Sequence, residues 1–365
     1  MSKFFLHFSV TLIVLLKTTL CFAVTCTPTY NFVMAQKMPL LTNTISLGED
    51  APVGTVLYRQ TFTPSANFEV SCDSAIDMVS AYTIVGTASS YSGSFPYDNV
   101  FETGYAGIGF AVWNNKRNIS YSFGKSTASL ATAVTSLTVE KDDIQMEFAL
   151  IKTGDIAAGV LDVSALPASA LKVGNTGSYN NIVILTHTGS LTITLPTCTT
   201  PDYTVNLGKW GEARFNGKGA ASAWVDSAIR LTGCGQFNGN FTESTGSTNL
   251  WSDNGDYSAA SPKQNRWSVS FSSVSGVIDA DNGIISTDTS AADAAQGLGI
   301  QLSQGLPDSA GTRFVKIGDS ALTGTFSTTG ETSYVIPLSA RIIQTEDTVV
   351  AGSVTGKVVY TLNYL

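Results

Sequence analysis

Short runs of alternating apolar and polar residues recur along the chain, separated by turns rich in Gly, Asn, Asp, Ser and Thr. Apolar residues rarely recur at three- and four-residue spacing, so the pattern predicts strands rather than helices. Strands are predicted in the first half at 54–62, 81–85, 107–113, 118–123, 136–140, 145–153, 180–187 and 190–195. Strands are predicted in the second half at 203–207, 222–231, 267–271, 299–302, 334–344 and 357–362.

The spacing of these runs predicts an all-β protein built as sandwiches or barrels, because no helical segment separates the strands. The stretches 239–262 and 278–295 are polar and turn-rich, with one short helical turn expected at 291–296. A length of 365 residues favours about two domains. The boundary is predicted at 195–197, where a strand meets Pro196, so the domains span 24–195 and 198–365 with 196–197 as linker.

The first 23 residues have the pattern of a secretory signal peptide. Lys3 gives the positive start, 4–16 the apolar run and 21–23 the small-residue cleavage pattern. The apolar run has 13 residues and covers only about 20 Å as a helix. A signal anchor interrupted by Lys17 is the alternative interpretation.

Cleavage after residue 23 would leave Cys26, Cys72, Cys198 and Cys234, an even number that suits an oxidising compartment. Four cysteines allow three connectivities. Two of them lie in each half, with 126 residues between the sets, so the spacing favours Cys26–Cys72 and Cys198–Cys234. No Cys-x-x-Cys redox or zinc pattern is present in the sequence, and the bridges are interpreted as structural.

The charged residues argue against a nucleic-acid partner, since 20 basic and 28 acidic residues give a net charge of −8. His187 is the single histidine after the leader, and its place on an alternating run predicts a structural role. No catalytic, phosphate-binding or multi-histidine motif is found in the sequence. We therefore expect a binding or structural protein rather than an enzyme, without cofactor or metal. A hydrolase using Glu140, Asp142 and Asp143 is a remote alternative, since adjacent acids usually form a solvated face.

The chain ends in an alternating strand from residue 354 onward. Its apolar face carries Val354, Val358, Tyr360, Leu362 and Tyr364. Tyr364 is penultimate, and Gly352 is fourteenth from the end. By itself this pattern fits the closing strand of any sandwich.

With those two residues, the second half resembles subunits of Gram-negative pili assembled by the chaperone–usher pathway. The segments GLGIQL at 297–302 and YVIPLSARIIQT at 334–345, and a disulfide that begins at Cys198, are also similar to pilin domains. The resemblance covers about 198–365. The first half is similar, more weakly, to receptor-binding domains of two-domain tip adhesins, at 48–62, 100–112 and 151–161.

The resemblance implies an incomplete immunoglobulin-like sandwich that lacks its final strand, so that an edge beside the C-terminal strand exposes apolar core. A periplasmic chaperone would lend a strand, and the adjacent pilin subunit would replace it in the fibre after passage through the outer-membrane usher. The implied interface consists of Gly352, Val354, Val358, Tyr360, Leu362, Tyr364 and Leu365, with the Leu365 carboxylate as anchor for the chaperone. The implied location is the fibre tip on the cell surface, after transit of the periplasm.

The same resemblance implies a lectin-like first domain that binds a host or surface glycan. Carboxylates, amides and an aromatic ring on loops would suit a sugar. Residues of this kind cluster at 91–99 and 113–117, and the candidates are Tyr91, Tyr97, Asp98, Asn99, Trp113, Asn114 and Asn115. The alternative is a structural or assembly-initiating tip subunit whose first domain binds protein or nothing.

Overall fold

The computed structural model describes residues 24–89, 99–114, 119–120, 126–241, 250–258 and 262–365. The predicted signal peptide lies outside these residues. Within them the protein is all-β, as predicted, with three short 3-10 helices at Lys141–Ile144, Val163–Ala165 and Glu212–Arg214. None of the helices in this part of the chain has the length and apolar character needed to cross a membrane.

Each predicted run of the first half overlaps a strand, and within the described residues the structure adds six strands that no run predicted, at 26–30, 35–39, 44–46, 101–102, 159–162 and 168–175. They are β1 (Cys26–Tyr30), β2 (Ala35–Pro39), β3 (Thr44–Ser46), β4 (Val56–Thr63), β5 (Phe68–Val85), β6 (Phe101–Glu102), β7 (Ile108–Asn114), β8 (Ile119–Ser120), β9 (Ser126–Val139), β10 (Met146–Lys152), β11 (Gly159–Asp162), β12 (Ala168–Asn175), β13 (Ser178–Thr188) and β14 (Ser190–Thr194).

The strands of the second half are shorter and more interrupted. They are β15 (Val225–Asp226), β16 (Ile229–Thr232), β17 (Leu250–Ser252), β18 (Tyr257–Ser258), β19 (Arg266–Ser273), β20 (Val277–Asp279), β21 (Ile284–Ser286), β22 (Leu298–Gln304), β23 (Gly318–Thr325), β24 (Ser333–Ile336), β25 (Leu338–Gln344) and β26 (Val358–Tyr364). Pro337 divides the predicted strand 334–344 in two, because proline lacks the N–H that a ladder requires.

The first half is a sandwich of two main sheets. One sheet has the order β1-β5-β12-β13-β2, with β9 also on β5, and the other has the order β18-β17-β4-β10-β7-β6, with β8 on β7. Between the sheets lies a continuous core that includes Phe110, Phe148 and Leu150, each 0% exposed. The order of the second sheet begins with two strands of the second half of the chain, β18 and β17.

The second half forms a separate sandwich. Its larger sheet has the order β15-β25-β22-β21-β20, and the facing strands pair as β23-β19-β26. A second core lies between them, around Val269, Phe271, Ile285 and Phe326. The expected helical turn at 291–296 is absent, since this described stretch consists of turns and isolated bridges.

Disulfides join Cys26 to Cys72 and Cys198 to Cys234, the pairing that the cysteine spacing favours. The first bridge links paired residues of β1 and β5. The second ties the start of the second half to the residues just after β16. Each half therefore carries its own covalent closure, and no disulfide crosses between the halves in the described residues.

Strand β10 is buried on both of its faces. Met146, Phe148 and Leu150 face the main core, whereas Ala149 and Ile151 belong to a small cluster on the opposite face. Glu147 shares that opposite face and forms an ion pair of 2.6 Å with Arg59 on β4. The pairing allows a carboxylate to remain in a site that is 1% exposed.

His187 has the structural environment that its sequence position predicts. It lies on β13, is 3% exposed, and its ring centroid is 3.9 Å from that of Phe148. Neither ring nitrogen has a hydrogen-bond partner among the described residues. Burial lowers the pKa of His187 to about 3, because the charged imidazole would lose its hydration without gaining a partner.

This burial predicts an acid-dependent loss of stability. The unfolded chain binds the proton near pH 6.5 and the folded chain only near pH 3, so the neutral form stabilises the fold above 6.5. As the pH is lowered from 6.5 to 3, the free energy of unfolding of the wild type should fall, relative to that of His187→Leu, by about 1.4 kcal/mol per pH unit. Urea unfolding of both proteins at several pH values measures this, and parallel pH profiles would show that His187 is not buried as a neutral group.

Candidate functional site

An open groove of about 1300 Å³ with an apolar floor runs along the second sandwich. One wall is the segment 200–215 and the other is the segment 349–360, which leads into β26. The floor consists of side chains from the second core, namely Phe271, Ile285, Ile300, Leu302, Leu338 and Ala340. Apolar side chains that elsewhere form the inside of a domain are thus accessible along the groove.

The exposure of the floor is measurable. Ile300 and Leu302 are each 7% exposed, whereas Phe148 and Leu150 in the first core are 0% exposed. Such a surface is unfavourable in water, by roughly 25 cal/mol for each Å² of apolar area. The groove therefore favours an apolar occupant.

The first wall contains the predicted strand 203–207, which forms no ladder in the structure. Its backbone makes no hydrogen bond to backbone groups of the described residues. The side chains nevertheless have strand-like contacts, since Leu207 packs against the second core and the Tyr203 hydroxyl donates to the Ser227 carbonyl at 2.8 Å. The segment has the sequence of a strand, but its partner is missing.

The second wall ends in β26, which is an edge strand. It pairs antiparallel with β19, from Val358 opposite Ser273 to Tyr364 opposite Trp267, and the described residues place no strand on its other side. The burial of its side chains alternates over the first half of the strand, as the sequence predicts. Two backbone edges without a partner strand, that of 203–207 and that of β26 before Tyr364, therefore border the same apolar floor.

The two walls meet at one end of the groove, where Tyr203, Tyr360 and Thr200 lie together. Burial, together with the neighbouring Tyr360 and Asp226, raises the pKa of Tyr203 to about 12. Burial and the nearby Asp202 carboxylate raise the pKa of Tyr360 as well. Both phenols are therefore neutral at pH 7 and act as hydrogen-bonding groups.

Four of the seven residues predicted for the subunit interface line the groove, namely Gly352, Val354, Val358 and Tyr360. At Gly352 a side chain would collide with the backbone of residues 293–295, for example with the nitrogen of Ala295 at 2.6 Å. The packing of this wall therefore requires a glycine at the fourteenth position from the end.

The other three predicted interface residues lie beyond the groove. Leu362 packs against the second core, and the Leu365 nitrogen donates to the Arg266 carbonyl at 2.8 Å. The Tyr364 ring stacks on Phe326 with centroids 5.6 Å apart, and its hydroxyl accepts a hydrogen bond from the Cys198 nitrogen. These residues attach the end of β26 to its own domain. The alternating sequence pattern alone does not distinguish this role from that of lining an interface.

The candidate sugar-binding residues of the first half are only partly described. Tyr91, Tyr97, Asp98 and Asn115 lie outside the described residues, and Asn99 is half-buried just before β6. The expectation that Trp113 and Asn114 are displayed on a loop was wrong, because β7 continues through Asn114.

Both of these side chains are enclosed by protein. Trp113 is 2% exposed with the Arg59 guanidinium 4.9 Å from its ring centroid, and Asn114 is 0% exposed and donates to the Asp143 carbonyl at 2.9 Å. In this conformation neither side chain reaches a ligand at the surface. The loop prediction failed because two consecutive asparagines favour a turn locally, whereas pairing with β10 keeps Asn114 in the ladder.

Comparison with known proteins gives a family for the second half. Residues 188–365 match the family model described as fimbrial protein. A comparison with curated proteins found no match.

Solved structures provide distant likenesses in fold. The CupB6 tip adhesin from Pseudomonas aeruginosa is 16% identical with a TM-score of 0.37, over 93% of this chain and 95% of that one. The tip adhesion subunit complex CsuC-CsuE from archaic chaperone–usher pili of Acinetobacter baumannii is 12% identical with a TM-score of 0.27, over 93% of this chain and 100% of that one. The P pilus rod subunit PapA is 17% identical with a TM-score of 0.31, over 46% of this chain and 99% of that one.

The family match confirms the resemblance to pilus subunits that the C-terminal motif indicated. It also agrees with the expectation of a non-enzymatic protein, since members of this family are structural components of pili. The second half of the chain, residues 188–365, thus matches the fimbrial proteins.

Proposed function

We propose that the chain is a tip adhesin whose second half joins the pilus by accepting a β-strand from another protein, and whose first half binds a glycan. The observation that supports strand acceptance is the open groove, with an apolar floor and an unpaired backbone edge on each side. A strand inserted there satisfies both edges and covers the floor, which is the physical basis of β-augmentation. The periplasmic chaperone donates this strand first and the adjacent pilin subunit replaces it, after delivery to the outer-membrane usher.

The position of the chain in the fibre follows from its organisation. A folded domain with its own core precedes the pilin domain, where an ordinary pilin would carry the donor extension for its neighbour. With a folded domain in that place, the chain is suited to the end of the fibre. We propose that the first half lies at the tip on the cell surface, where it can reach a receptor.

The groove predicts a change in backbone protection when a strand enters. In the free chain the amides of 203–207 should exchange hydrogen rapidly, because they have no ladder partner, while those of Val358–Tyr364 that bond β19 are protected. Adding an alternating apolar peptide or the chaperone should slow exchange at 203–207 by at least tenfold. Hydrogen-exchange mass spectrometry measures both states. Fast exchange that persists in a formed complex would show that partners bind elsewhere.

A charge placed on the groove wall should block strand entry without unfolding the free chain. Leu207 is half-buried on the open wall, so Leu207→Asp keeps its carboxylate hydrated until a strand covers it. Chaperone binding should weaken at least tenfold in a pull-down titration. The matched control is Val335→Asp, since Val335 is 51% exposed on β24 outside the groove. Equal chaperone binding by the two variants would contradict the proposal.

The glycan hypothesis is tested with the full chain, whose groove is filled by the chaperone. We expect binding to one sugar series on a glycan array and its loss in Tyr97→Ala and Asp98→Ala, with Val335→Ala unchanged. If no sugar binds while Leu207→Asp still blocks the chaperone, the chain is a structural or assembly-initiating tip subunit.

A further inference from the structure

The pilin half contributes directly to the fold of the first half. Strand β17 lies parallel to β4, with Leu250 opposite Thr61 and Ser252 opposite Thr63, and β18 returns antiparallel beside it. These two strands form the outer edge of the first domain's sheet. Without them β4, which is central in that sheet, would itself be an edge strand.

Two aromatic side chains of the same segment complete the first core. Phe241 is 9% exposed and belongs to that core, with its ring centroid 6.1 Å from that of Tyr58. Trp251 packs against the same core, 5.8 Å from Phe62. We name the described residues 238–241 and 250–258 the crossing segment, because they belong to the pilin half in sequence and contact the first domain.

The crossing segment is anchored on both sides within a few residues. Phe237 is 2% exposed in the pilin core and stacks on Phe326 at 3.9 Å, whereas Phe241, four residues later, is buried in the first core. The intervening distance is too short for the chain to act as a flexible tether. A rotation of one half against the other therefore has to remove one of the two rings from its core.

A buried hydrogen-bond cluster closes the junction. Ser46 of β3 donates its backbone N–H to the Gly239 carbonyl at 2.9 Å and accepts at its hydroxyl from the Asn238 nitrogen at 2.7 Å. Asn265, 2% exposed, donates to the Ser46 carbonyl at 2.7 Å and accepts from the Gly239 nitrogen. Because these groups are shielded from water, separating the halves leaves several of them without partners.

A second contact joins the halves at the end of β26. The Asp50 nitrogen donates to the Tyr364 carbonyl at 3.0 Å, and the Tyr364 nitrogen donates to the Asp50 carboxylate at 2.9 Å. A side chain at Gly48 would collide with the same carbonyl, so the two backbones are in close contact. The junction thus has two separate attachment points in addition to the covalent linker.

From these contacts we infer that the pilin half supplies an intramolecular donor strand to the first half, so that the first domain is fully folded only when the crossing segment is in place. The first half is then not an independently folded domain on a flexible linker. Its sheet becomes complete only after the residues of the pilin half have been synthesised and docked. This inference goes beyond the proposed function and holds whichever ligand the first half binds.

The test is hydrogen exchange in the full chain, using a double variant, Phe241→Ala with Trp251→Ala. Loss of the two rings should release the crossing segment and increase exchange in β4 at least tenfold, while β19 in the pilin half keeps its protection. The matched control is Trp224→Ala, which removes an indole that lies 4.2 Å from Arg341 within the pilin half. This control should leave the exchange of β4 unchanged.

A milder variant covers the case in which the double variant is not obtained in folded form. Asp253 accepts a hydrogen bond of 2.8 Å from Ser65 at the far end of the hairpin, and Asp253→Ala should increase exchange at that end of β4 about fivefold. Exchange in β4 within twofold of wild type in either folded variant would overturn the inference and make the hairpin a passive appendage.

Discussion

The missing strand between 203–207 and β26 is the constraint on which the rest of the structure depends. An antiparallel sandwich is stable when its two sheets cover each other and its backbone groups are paired. In the pilin half the floor of the groove is apolar and both of its borders are unpaired edges. The domain is therefore organised around a strand that the described chain does not provide.

A sheet edge is also covered by an added strand at the junction of the two halves, but there the strand comes from the chain itself. There the first half has an edge at β4, and the chain itself provides the strand that covers it. In our proposal one end of the pilin half accepts a strand, and another end gives one to the first half. Accepting a strand and giving one both use main-chain hydrogen bonds for attachment and apolar side chains to cover the core. This explains how a protein with 13% charged residues can be assembled from incomplete sheets.

Much of this organisation could be predicted from the sequence, and the failures have physical causes. Alternation located β4, β7, β10, β13, β19, β22 and β26, because each of these strands is amphipathic or strongly apolar in a local window. It also predicted a strand at 203–207. That segment has the residue pattern of a strand, but without a partner it forms none in the structure. The groove results from a strand that is missing in the folded domain, so no local sequence pattern reveals it directly. The C-terminal motif was the single sequence signal for it.

Other features depended on contacts that no local pattern reveals. The crossing segment reads as a polar turn region, because Phe241 and Trp251 are isolated aromatics among small and polar residues. Their burial is decided by Tyr58 and Phe62, almost 200 residues earlier in the chain. Likewise Trp113 and Glu147 face a second buried layer, which an expectation of one buried face per strand does not include.

The most direct test of the central claim is an experimental structure of the full chain bound to the chaperone of its pathway. The account predicts a chaperone strand in the groove, hydrogen-bonded to 203–207 on one side and to β26 on the other, with its apolar side chains on Ile300 and Leu302. A complex in which the groove is closed by the chain's own residues, with the chaperone bound elsewhere, would contradict it.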